Sequence, residues 1–149
     1  MIDVSNIETT VHLSDGLPHV FIDEHQMQQV LVNLVTNAVQ ATAAGGRIVI
    51  SSRPGKNSGS VEISVADTGK GILPEFLPHI FDPFFSTKGE GGTGLGLSVS
   101  YGIIKNHHGE IRVESKVGVG TTFTIELPQY IGQNAEKFAA EDTEVSEVR

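Results

Sequence analysis

A glycine-rich stretch at residues 89–97 is the part of this chain whose composition best fits a chemical task. Glycine lacks the Cβ that would hold a ligand away from the backbone, and it allows positive φ, so successive N–H groups can converge on one anion. An apolar pattern with helical spacing follows at once, with Leu95, Val99 and Ile103 on one side. We therefore predict a phosphate-binding loop that ends at the N-terminus of a helix.

Two other phosphate-binding motifs fit the same stretch poorly. The spacing Gly89-x-Gly91-x-x-Gly94 matches the dinucleotide fingerprint, but that motif follows a buried strand, and residues 81–88 contain Pro83 and show no strand alternation. A Walker loop is excluded because no Gly-Lys-Ser/Thr follows. Since many glycine-rich surface loops bind nothing, the loop alone leaves a binding role and a plain surface loop both open.

Four amide side chains recur along one predicted helix, at Gln29, Asn33, Asn37 and Gln40. Their spacing places them on one helical face. A solvated face is the ordinary explanation, but such faces usually carry Lys and Glu, which favour helices more than Asn does. An amide can also offer its carbonyl oxygen to a hard cation without adding charge, so the stripe is a candidate site for phosphate-bound magnesium.

The segment Asp67-Thr68-Gly69-Lys70-Gly71 follows a predicted strand. A turn is its default interpretation, because Asp and Gly are favoured in turns. An Asp at the end of a strand can instead accept a hydrogen bond from the exocyclic amine of a base, while the glycines allow a flat ring to approach the backbone. Both interpretations stay open from the residues alone.

The elements that must position these residues follow from apolar periodicity and turn signals. Short strands are predicted at residues 6–13 and 19–22. A helix begins after Asp23, an N-cap with Gln26 three residues on, and ends at the pair Gly45-Gly46. Its apolar stripe of helical period comprises Met27, Leu31, Leu34, Ala38 and Ala41.

Further strands and one more helix are predicted downstream. Residues 47–53 and 60–67 alternate as strands and are expected to form a hairpin. About thirty irregular residues then follow Asp67, too many for an ordinary connection, and we predict a functional lid that ends in the glycine loop. The last predicted elements are a helix over residues 95–108 and strands over residues 110–115 and 120–127.

Composition excludes several classes of protein. The chain has 149 residues, of which 38% are hydrophobic and 19% charged, and this suits one globular domain. No apolar run approaches the ~18 residues of a membrane span, and no signal peptide opens the chain. The absence of cysteine excludes disulfides and thiol chemistry, and the net charge of -8 argues against nucleic acid as a partner. We expect a cytoplasmic location.

The last residues differ in composition from the rest. Five acidic residues and little apolar content lie between residues 133 and 149. We predict that the domain covers residues 1–128 and that residues 129–149 form an acidic, mostly disordered tail, with a short helix as the alternative.

Four ordered motifs in this chain resemble those of the ATP-binding catalytic domain of two-component sensor histidine kinases, in the GHKL or Bergerat ATPase superfamily. Residues 33–38 resemble the N box of that family, residues 67–72 the G1 box, residues 80–85 the F box and residues 92–97 the G2 box. The resemblance extends from about Ile7 to Pro128, since the closing strands match as well.

The resemblance implies a fold that DNA gyrase, heat-shock chaperones and mismatch-repair ATPases share. It is an α/β (α+β) two-layer sandwich in which about three helices cover one face of a mixed β-sheet of about five strands. ATP would be held between the layers under a flexible lid.

The resemblance also implies roles for individual residues. Asp67 would accept the adenine amine, Asn37 would coordinate magnesium, and Gly69 and Gly71 would let the base approach. The family's catalytic positions match Asn33, Asn37 and Lys88. The other implied nucleotide contacts are Gln40, Ile72, Gly92, Thr93, Gly94, Leu95, Gly96, Leu97 and Thr122.

Two departures from the family pattern matter. Gln40 stands where many members carry Lys or Arg, so Lys88 is a candidate for the phosphate contact, with an exposed lid lysine as the alternative. The superfamily's true ATPases have a Glu at the position of Asn33. An amide cannot act as a general base towards water, which suits a kinase that keeps ATP intact until its acceptor arrives.

The implied function is transfer of the γ-phosphoryl group of Mg-ATP to a histidine on a separate dimerisation domain, with a response regulator as indirect partner. An anti-sigma-factor-type serine kinase and a non-catalytic nucleotide-sensing module are the alternatives. We expect no contact with nucleic acid or membrane, although the location could include the cytosolic part of a membrane-bound sensor. None of the histidines lies in the family's His-Glu-x-x-x-Pro acceptor setting. We therefore interpret the chain as a catalytic domain that begins after the acceptor helices. All six histidines are interpreted as structural or surface residues: His12, His19, His25, His79, His107 and His108.

Overall fold

The computed structural model describes residues 6–57, 59–85 and 96–130, together with the backbone of residues 147 and 148. These parts contain two α-helices, α1 (Glu24–Ala41) and α2 (Gly96–Asn106), and a short 3-10 turn at Leu77–His79. The strands are β1 (Glu8–Leu13), β2 (Val20–Phe21), β3 (Arg47–Pro54), β4 (Val61–Asp67), β5 (Glu110–Lys116), β6 (Gly120–Leu127) and β7 (Glu147–Val148).

Five of the strands form one mixed sheet in the order β1-β3-β4-β6-β5. Strand β1 runs parallel to β3, and the other neighbours are antiparallel. The predicted hairpin of β3 and β4 is confirmed, with Ile48 opposite Asp67 at its open end. Strand β2 lies outside this sheet and pairs antiparallel with β7.

Helix α1 begins at the predicted N-cap. The Asp23 carboxylate accepts a hydrogen bond from the Gln26 amide at 3.1 Å, which satisfies one N–H of the first turn. The helix ends at Ala41, before the glycine pair named from the sequence, because Thr42 is already extended at φ -99° and ψ 129°. The Thr42 hydroxyl donates to the Ala38 carbonyl at 2.6 Å and closes the last turn.

The core lies between the two helices and one face of the sheet. Helix α1 contributes buried residues at helical spacing, and Ile103 and Ile104 of α2 are buried beside them. The strands contribute alternate positions, as a half-buried sheet requires. The fully buried members include Val30, Leu34, Ile48, Val65, Ile104, Ile125 and Leu127.

A buried histidine joins the end of α2 to the start of α1. His107 Nε2 accepts a hydrogen bond from the Asp23 backbone N–H at 2.9 Å, and Nδ1 lies 2.8 Å from the Ile103 carbonyl, to which it donates. In a reciprocal capping box the Gln26 side chain would bond that Asp23 N–H. Here His107 takes its place, and Gln26 Oε1 is buried without a hydrogen-bond partner.

The architecture confirms the predicted two-layer fold with a mixed five-stranded sheet. The described parts hold two α-helices and a 3-10 turn, against an expectation of about three helices. None of the described helices is long and apolar enough to cross a membrane. The boundary at residue 128 stays a prediction, and residues 131–146 of the predicted tail lie outside the described residues.

Candidate active site

Asp67 is the last residue of β4, where the strand leaves the sheet. Its Oδ1 accepts hydrogen bonds from the Gly69 amide at 2.8 Å and the Thr121 amide at 3.2 Å. Both bonds are made to the same oxygen, and together they fix the orientation of the carboxylate relative to the backbone of the loop and of β6. Oδ2 takes part in neither of them, so it is the oxygen that a ligand amine could reach.

Burial raises the pKa of Asp67 above its ordinary value of 3.8. The hydrogen bonds from Gly69 and Thr121 act in the opposite direction, since they favour the charged form, but the desolvation is larger. A partly desolvated acceptor gains more from a matching donor than one in bulk water would. Asp67 therefore has the chemistry of a recognition group for a polar ligand.

The loop after Asp67 is anchored to two other elements. The Lys70 amide donates to the Ala41 carbonyl of α1 at 3.1 Å, and the Gly118 amide donates to the Lys70 carbonyl at 2.9 Å. The Ile72 amide donates to the Ser115 hydroxyl at 2.8 Å. This loop is thus fastened both to the end of the helix and to the β5–β6 turn.

The two glycines of this loop are needed for close approach within the protein. A Cβ on Gly69 would lie 2.5 Å from the Ala41 carbonyl oxygen. Gly71 has a φ of +78°, and a Cβ there would meet the Lys116 carbonyl. At both positions a side chain would collide with neighbouring backbone, so close packing within the protein is sufficient to explain why these residues are glycine.

Asn33 joins α1 to the start of α2. Its Nδ2 donates to the Gly96 carbonyl at 3.1 Å and to the Ser100 hydroxyl at 3.2 Å. Asn37 lies one turn further along α1 and is also half-buried, whereas Gln29 and Gln40 are exposed. The predicted amide stripe is therefore split, with its two asparagines turned inward and its two glutamines in solvent.

Helix α1 brings the separate motifs together. It touches the start of α2 at Asn33 and the loop after β4 at Ala41. Eight residues separate these two contacts, which corresponds to about 12 Å along the helix axis. The loop after Asp67 therefore lies at one end of this stretch and Gly96 lies at the other end. Asn37 is between them.

The register of β6 decides which threonine accompanies Asp67. Thr121 lies opposite Asp67 and is buried, whereas Thr122 lies opposite Ala66. Because side chains alternate between faces, Thr122 lies on the sheet face away from the helices. The structure does not bring Thr122 to Asp67, and Thr121 is the residue at that position.

Thr121 belongs to a small group of hydroxyls that the sequence analysis did not single out. Its hydroxyl lies 2.8 Å from that of Ser115, which also donates to the Gly120 carbonyl at 3.1 Å. The alternation of β6 could have identified Thr121, because it shares a face with the buried Phe123. No comparable signal pointed to Ser115 or to Ser100.

The glycine loop itself falls mostly outside the described residues, which stop at Phe85 and resume at Gly96. Gly96 is the first residue of α2, one position after the predicted start at Leu95, and Leu97 is half-buried against the core. The predictions for Lys88, Gly92, Thr93, Gly94 and Leu95 lie outside the described residues.

The segment before the glycine loop is held by aromatic contacts. The Phe81 ring lies 5.3 Å from the Tyr101 ring of α2 and 6.3 Å from Phe123 of β6. Phe85 lies 5.7 Å from Phe76. Such ring pairs add to simple area burial, so residues 76–85 are fixed to both layers of the fold.

In the described parts of the chain, no group of three or more His, Asp or Glu side chains is arranged to hold a metal ion. His107 is buried in structural hydrogen bonds, and His79 pairs with Asp82 at 3.1 Å on the surface. A cation at this site would therefore depend on amide oxygens and on ligand phosphates.

Comparison with known proteins agrees with this arrangement. A family model described as histidine kinase-, DNA gyrase B-, and HSP90-like ATPase matches residues 22–131. The chain is 41% identical to sporulation kinase E of Bacillus subtilis (strain 168) over 91% of its length, and 47% identical to the sensor histidine kinase ZraS of Escherichia coli (strain K12) over 77%. It spans 18% and 24% of the length of these two curated relatives.

Solved structures show the same fold. The catalytic domain of histidine kinase ThkA, in a nucleotide-free form, superposes with a TM-score of 0.72 at 38% identity and covers 83% of this chain and 80% of its own. ThkA in complex with the response regulator TrrA gives a TM-score of 0.68 at 35% identity, over 84% of this chain and 35% of that chain. The chain belongs to the family of histidine kinase-, DNA gyrase B- and HSP90-like ATPases, and within it to the ATP-binding catalytic domains of sensor histidine kinases.

Proposed function

We propose that this chain binds Mg-ATP along α1 and transfers the γ-phosphoryl group to a histidine of a separate dimerisation domain. The observation that carries the proposal is the convergence on α1 of the Asp67 loop, at Ala41, and of the end of the glycine loop, at Asn33. The adenine would lie at the Asp67 end, where Oδ2 can accept from its exocyclic amine. The phosphates would lie at the Gly96 end, beside a helix N-terminus.

Magnesium fits this donor set if it is shared with the nucleotide. Magnesium usually keeps one or two protein ligands and binds the substrate phosphates as well. Asn37 is half-buried on the face of α1 that carries Asn33, and its amide oxygen would be the protein ligand. The ion would supply charge neutralisation on the phosphates, which is a large part of catalysis in phosphoryl transfer.

We propose that Asn33 and Asn37 position the nucleotide without activating water. An amide has no basic lone pair at neutral pH, so Asn33 cannot remove a proton from water. Transfer then depends on the arrival of a better nucleophile in line with the γ-phosphate. Lys88, outside the described residues, remains the candidate for the basic phosphate contact in place of the exposed Gln40.

The proposed partners follow from the relatives. ThkA, one of the similar structures, is in complex with a response regulator. We propose that this chain works with a histidine-bearing dimerisation domain and, through that histidine, with the receiver domain of a response regulator. No histidine of the chain is followed by the Glu-x-x-x-Pro of the acceptor motif, so the nucleophile would come from that other domain.

Radiolabelled ATP tests the proposal. With γ-labelled ATP and magnesium, the chain alone should acquire little label and release little phosphate, because it offers neither an acceptor histidine nor a base towards water. After addition of the cognate dimerisation domain, label should appear on that domain as acid-labile, alkali-stable phosphohistidine. The Asn37→Ala variant, which lacks the proposed magnesium ligand, serves as the negative control.

Label in an acid-stable form on the isolated chain would contradict the proposal and favour a serine kinase. Binding of ATP without transfer to any added domain would favour a nucleotide-sensing module instead. Titration calorimetry that shows no binding at millimolar nucleotide would remove both the kinase and the sensing function.

A further inference from the structure

Ser100 lies at the contact between the two helices and is 0% exposed. Its hydroxyl donates to the Gly96 carbonyl at 2.9 Å and accepts from Asn33 Nδ2 at 3.2 Å. The same Nδ2 donates to the Gly96 carbonyl at 3.1 Å. The three groups therefore form a closed triangle of hydrogen bonds between α1 and the first turn of α2.

The chemistry of this triangle allows one orientation of the Asn33 amide. The Gly96 carbonyl can only accept, so the atom 3.1 Å from it must be the NH2 end of the amide. If the amide were rotated by 180°, its Oδ1 would face the Gly96 carbonyl oxygen with no hydrogen between the two. Oδ1 would then be an acceptor without a donor, which costs free energy in a buried place. The Ser100 hydroxyl favours the same orientation, because it has one proton and donates it to the Gly96 carbonyl while it accepts from Nδ2. To meet a turned amide it would have to give up its bond to Gly96 in order to donate to Oδ1.

We propose that Ser100 is a positioning residue, which fixes the Asn33 amide so that its Oδ1 is the end presented to the bound nucleotide. This inference rests on the proposed function, in which Asn33 and Asn37 share the nucleotide-facing side of α1. It adds that the orientation of the Asn33 amide is set from α2, by the Ser100 hydroxyl together with the carbonyl of Gly96, the first residue of that helix. Ser100 does not touch the nucleotide and acts only through Asn33.

A matched pair of substitutions separates the hydroxyl from the volume of the side chain. Ser100→Thr keeps Oγ and adds a methyl group, while Ser100→Val has nearly the same shape without the hydroxyl. Both add similar bulk at a fully buried position, so the cost of overpacking cancels between them. Nucleotide-free melting temperatures of the two variants serve as the control for this cancellation.

We expect Ser100→Val, and also Ser100→Ala, to bind Mg-ATP roughly fivefold more weakly than Ser100→Thr. The hydroxyl that holds Asn33 is then missing, and the contact of Asn33 with the nucleotide, worth about one ordinary hydrogen bond, is lost. Calorimetry on the full 149-residue chain measures this difference. In an Asn33→Ala background the Ser100→Ala substitution should add nothing, because the residue it positions is gone. Equal weakening by the Thr and Val variants, or an undiminished Ser100→Ala effect in that background, would overturn the inference.

Heteronuclear NMR tests the positioning without nucleotide. The side-chain NH2 signals of Asn33, assigned by their loss in Asn33→Ala, should keep their positions in Ser100→Thr and move towards solvent-exposed values in Ser100→Val. Unchanged signals in Ser100→Val would overturn the inference even if ATP binding is intact. If the wild-type chain binds no nucleotide while these signals still move, the proposed function fails. The nucleotide-facing role of Asn33 then fails with it, and only the hydrogen bond between Ser100 and Asn33 is left.

Discussion

At the scale of single residues, the carboxylate of Asp67 at the end of β4 is the proposed recognition group for adenine. Both of its backbone hydrogen bonds use Oδ1, and burial raises the pKa of the carboxyl. Ionisation of Asp67 therefore costs the folded domain free energy, and stability decreases as the pH rises from the ordinary value of 3.8 through the raised value. A ligand donor at Oδ2 would offset part of this cost.

Asp67→Asn should separate recognition from folding. The amide Oδ1 can keep both bonds to Gly69 and Thr121, but Nδ2 replaces Oδ2 and faces the adenine amine with a second donor. We expect ATP affinity to fall by about one to two decades, equivalent to roughly 1 to 3 kcal/mol, while the unliganded chain is no less stable at neutral pH.

Calorimetry with ATP and GTP measures the effect of Asp67→Asn. Discrimination against GTP should also decrease, because guanine offers a carbonyl acceptor where adenine has its amine. Unchanged ATP affinity in a folded variant would remove Asp67 from the site.

The opposite face of the sheet contains a buried ionic network that composition did not suggest. Glu62 is 2% exposed and pairs with Arg53 and Arg112, at 3.0 Å in each case. Glu126 pairs with the same Arg112 at 2.8 Å and accepts from the Ser60 hydroxyl at 2.5 Å. Two carboxylates are thus neutralised by two guanidinium groups across β3, β4, β5 and β6.

The pH dependence of stability should report this network. The Ser60 hydrogen bond, together with the Asn57 amide and Arg112, lowers the pKa of Glu126 from 4.5 to about 2. A depressed carboxyl pKa contributes stability above its unfolded value, and this contribution is lost as the pH falls through about 2. We expect urea midpoints of the wild type to decrease over this window.

Glu126→Gln should be less stable than the wild type at pH 7, with a difference that shrinks as the pH approaches 2. Urea titrations at several pH values measure it, and the exposed Glu114→Gln, on the same face of β5, is the control. A constant difference at all pH values would contradict the assignment of the pH dependence to Glu126.

At the scale of elements, α1 is held at both ends and in its middle by residues distant in sequence. His107 binds its N-cap, Gly96 and Ser100 bind Asn33 in its middle, and Lys70 binds its last residue. The contacts at the two ends of α1 satisfy the Asp23 N–H and the Ala41 carbonyl, backbone groups of the kind that helix ends leave without an intrahelical partner. The position of α1 on the sheet is therefore fixed by polar contacts as well as by its apolar stripe.

His107→Leu tests the contact at the start of α1. Leucine keeps the buried volume but leaves the Asp23 N–H and the Ile103 carbonyl without the imidazole. The Ile103 carbonyl still accepts from the backbone N–H of residue 107, so the Asp23 N–H is the group left unsatisfied. We expect a loss of about 1 to 3 kcal/mol in the free energy of unfolding.

Chemical denaturation measures the effect of His107→Leu, and the exposed His25→Leu on α1 is the control. A loss below ~0.5 kcal/mol for His107→Leu, the range of ordinary surface substitutions, would show that water replaces both bonds at no cost.

At the scale of the whole molecule, the proposed nucleotide site is built from both layers of the fold. The Asp67 loop comes from the sheet and the asparagines come from α1, so a ligand that contacts both stabilises their packing. A ligand that binds only the folded state adds stability by mass action.

Mg-ADP should therefore raise the unfolding free energy of this chain by about 2.7 kcal/mol at a free concentration of about 100 times its Kd. Thermal unfolding with and without EDTA measures the share that depends on magnesium. Asp67→Asn should show a smaller stabilisation at the same concentration. An equal stabilisation of wild type and variant would mean that the ligand binds elsewhere.

Local patterns in the sequence determined the elements and the order of the motifs. The N-cap at Asp23, the alternation of β3 to β6 and the start of α2 each depend on residues a few positions apart. The structure has the predicted N-cap and begins these strands and α2 within one residue of the predicted positions. The resemblance of four motifs to histidine kinases supplied the family and the mixed sheet, both of which are confirmed.

Only the tertiary structure decided which residues meet. The sequence left His107 as either a structural or a surface histidine, and its partner Asp23 lies 84 positions earlier. Asn33 likewise reaches Gly96 across 63 positions. Strand β1 pairs with β3, β2 pairs with β7, and the register of β6 places Thr121 opposite Asp67 and Thr122 opposite Ala66. Sequence periodicity reports which side of an element is apolar, but hydrogen bonds between distant elements depend on how those elements pack, and only the folded chain determines that.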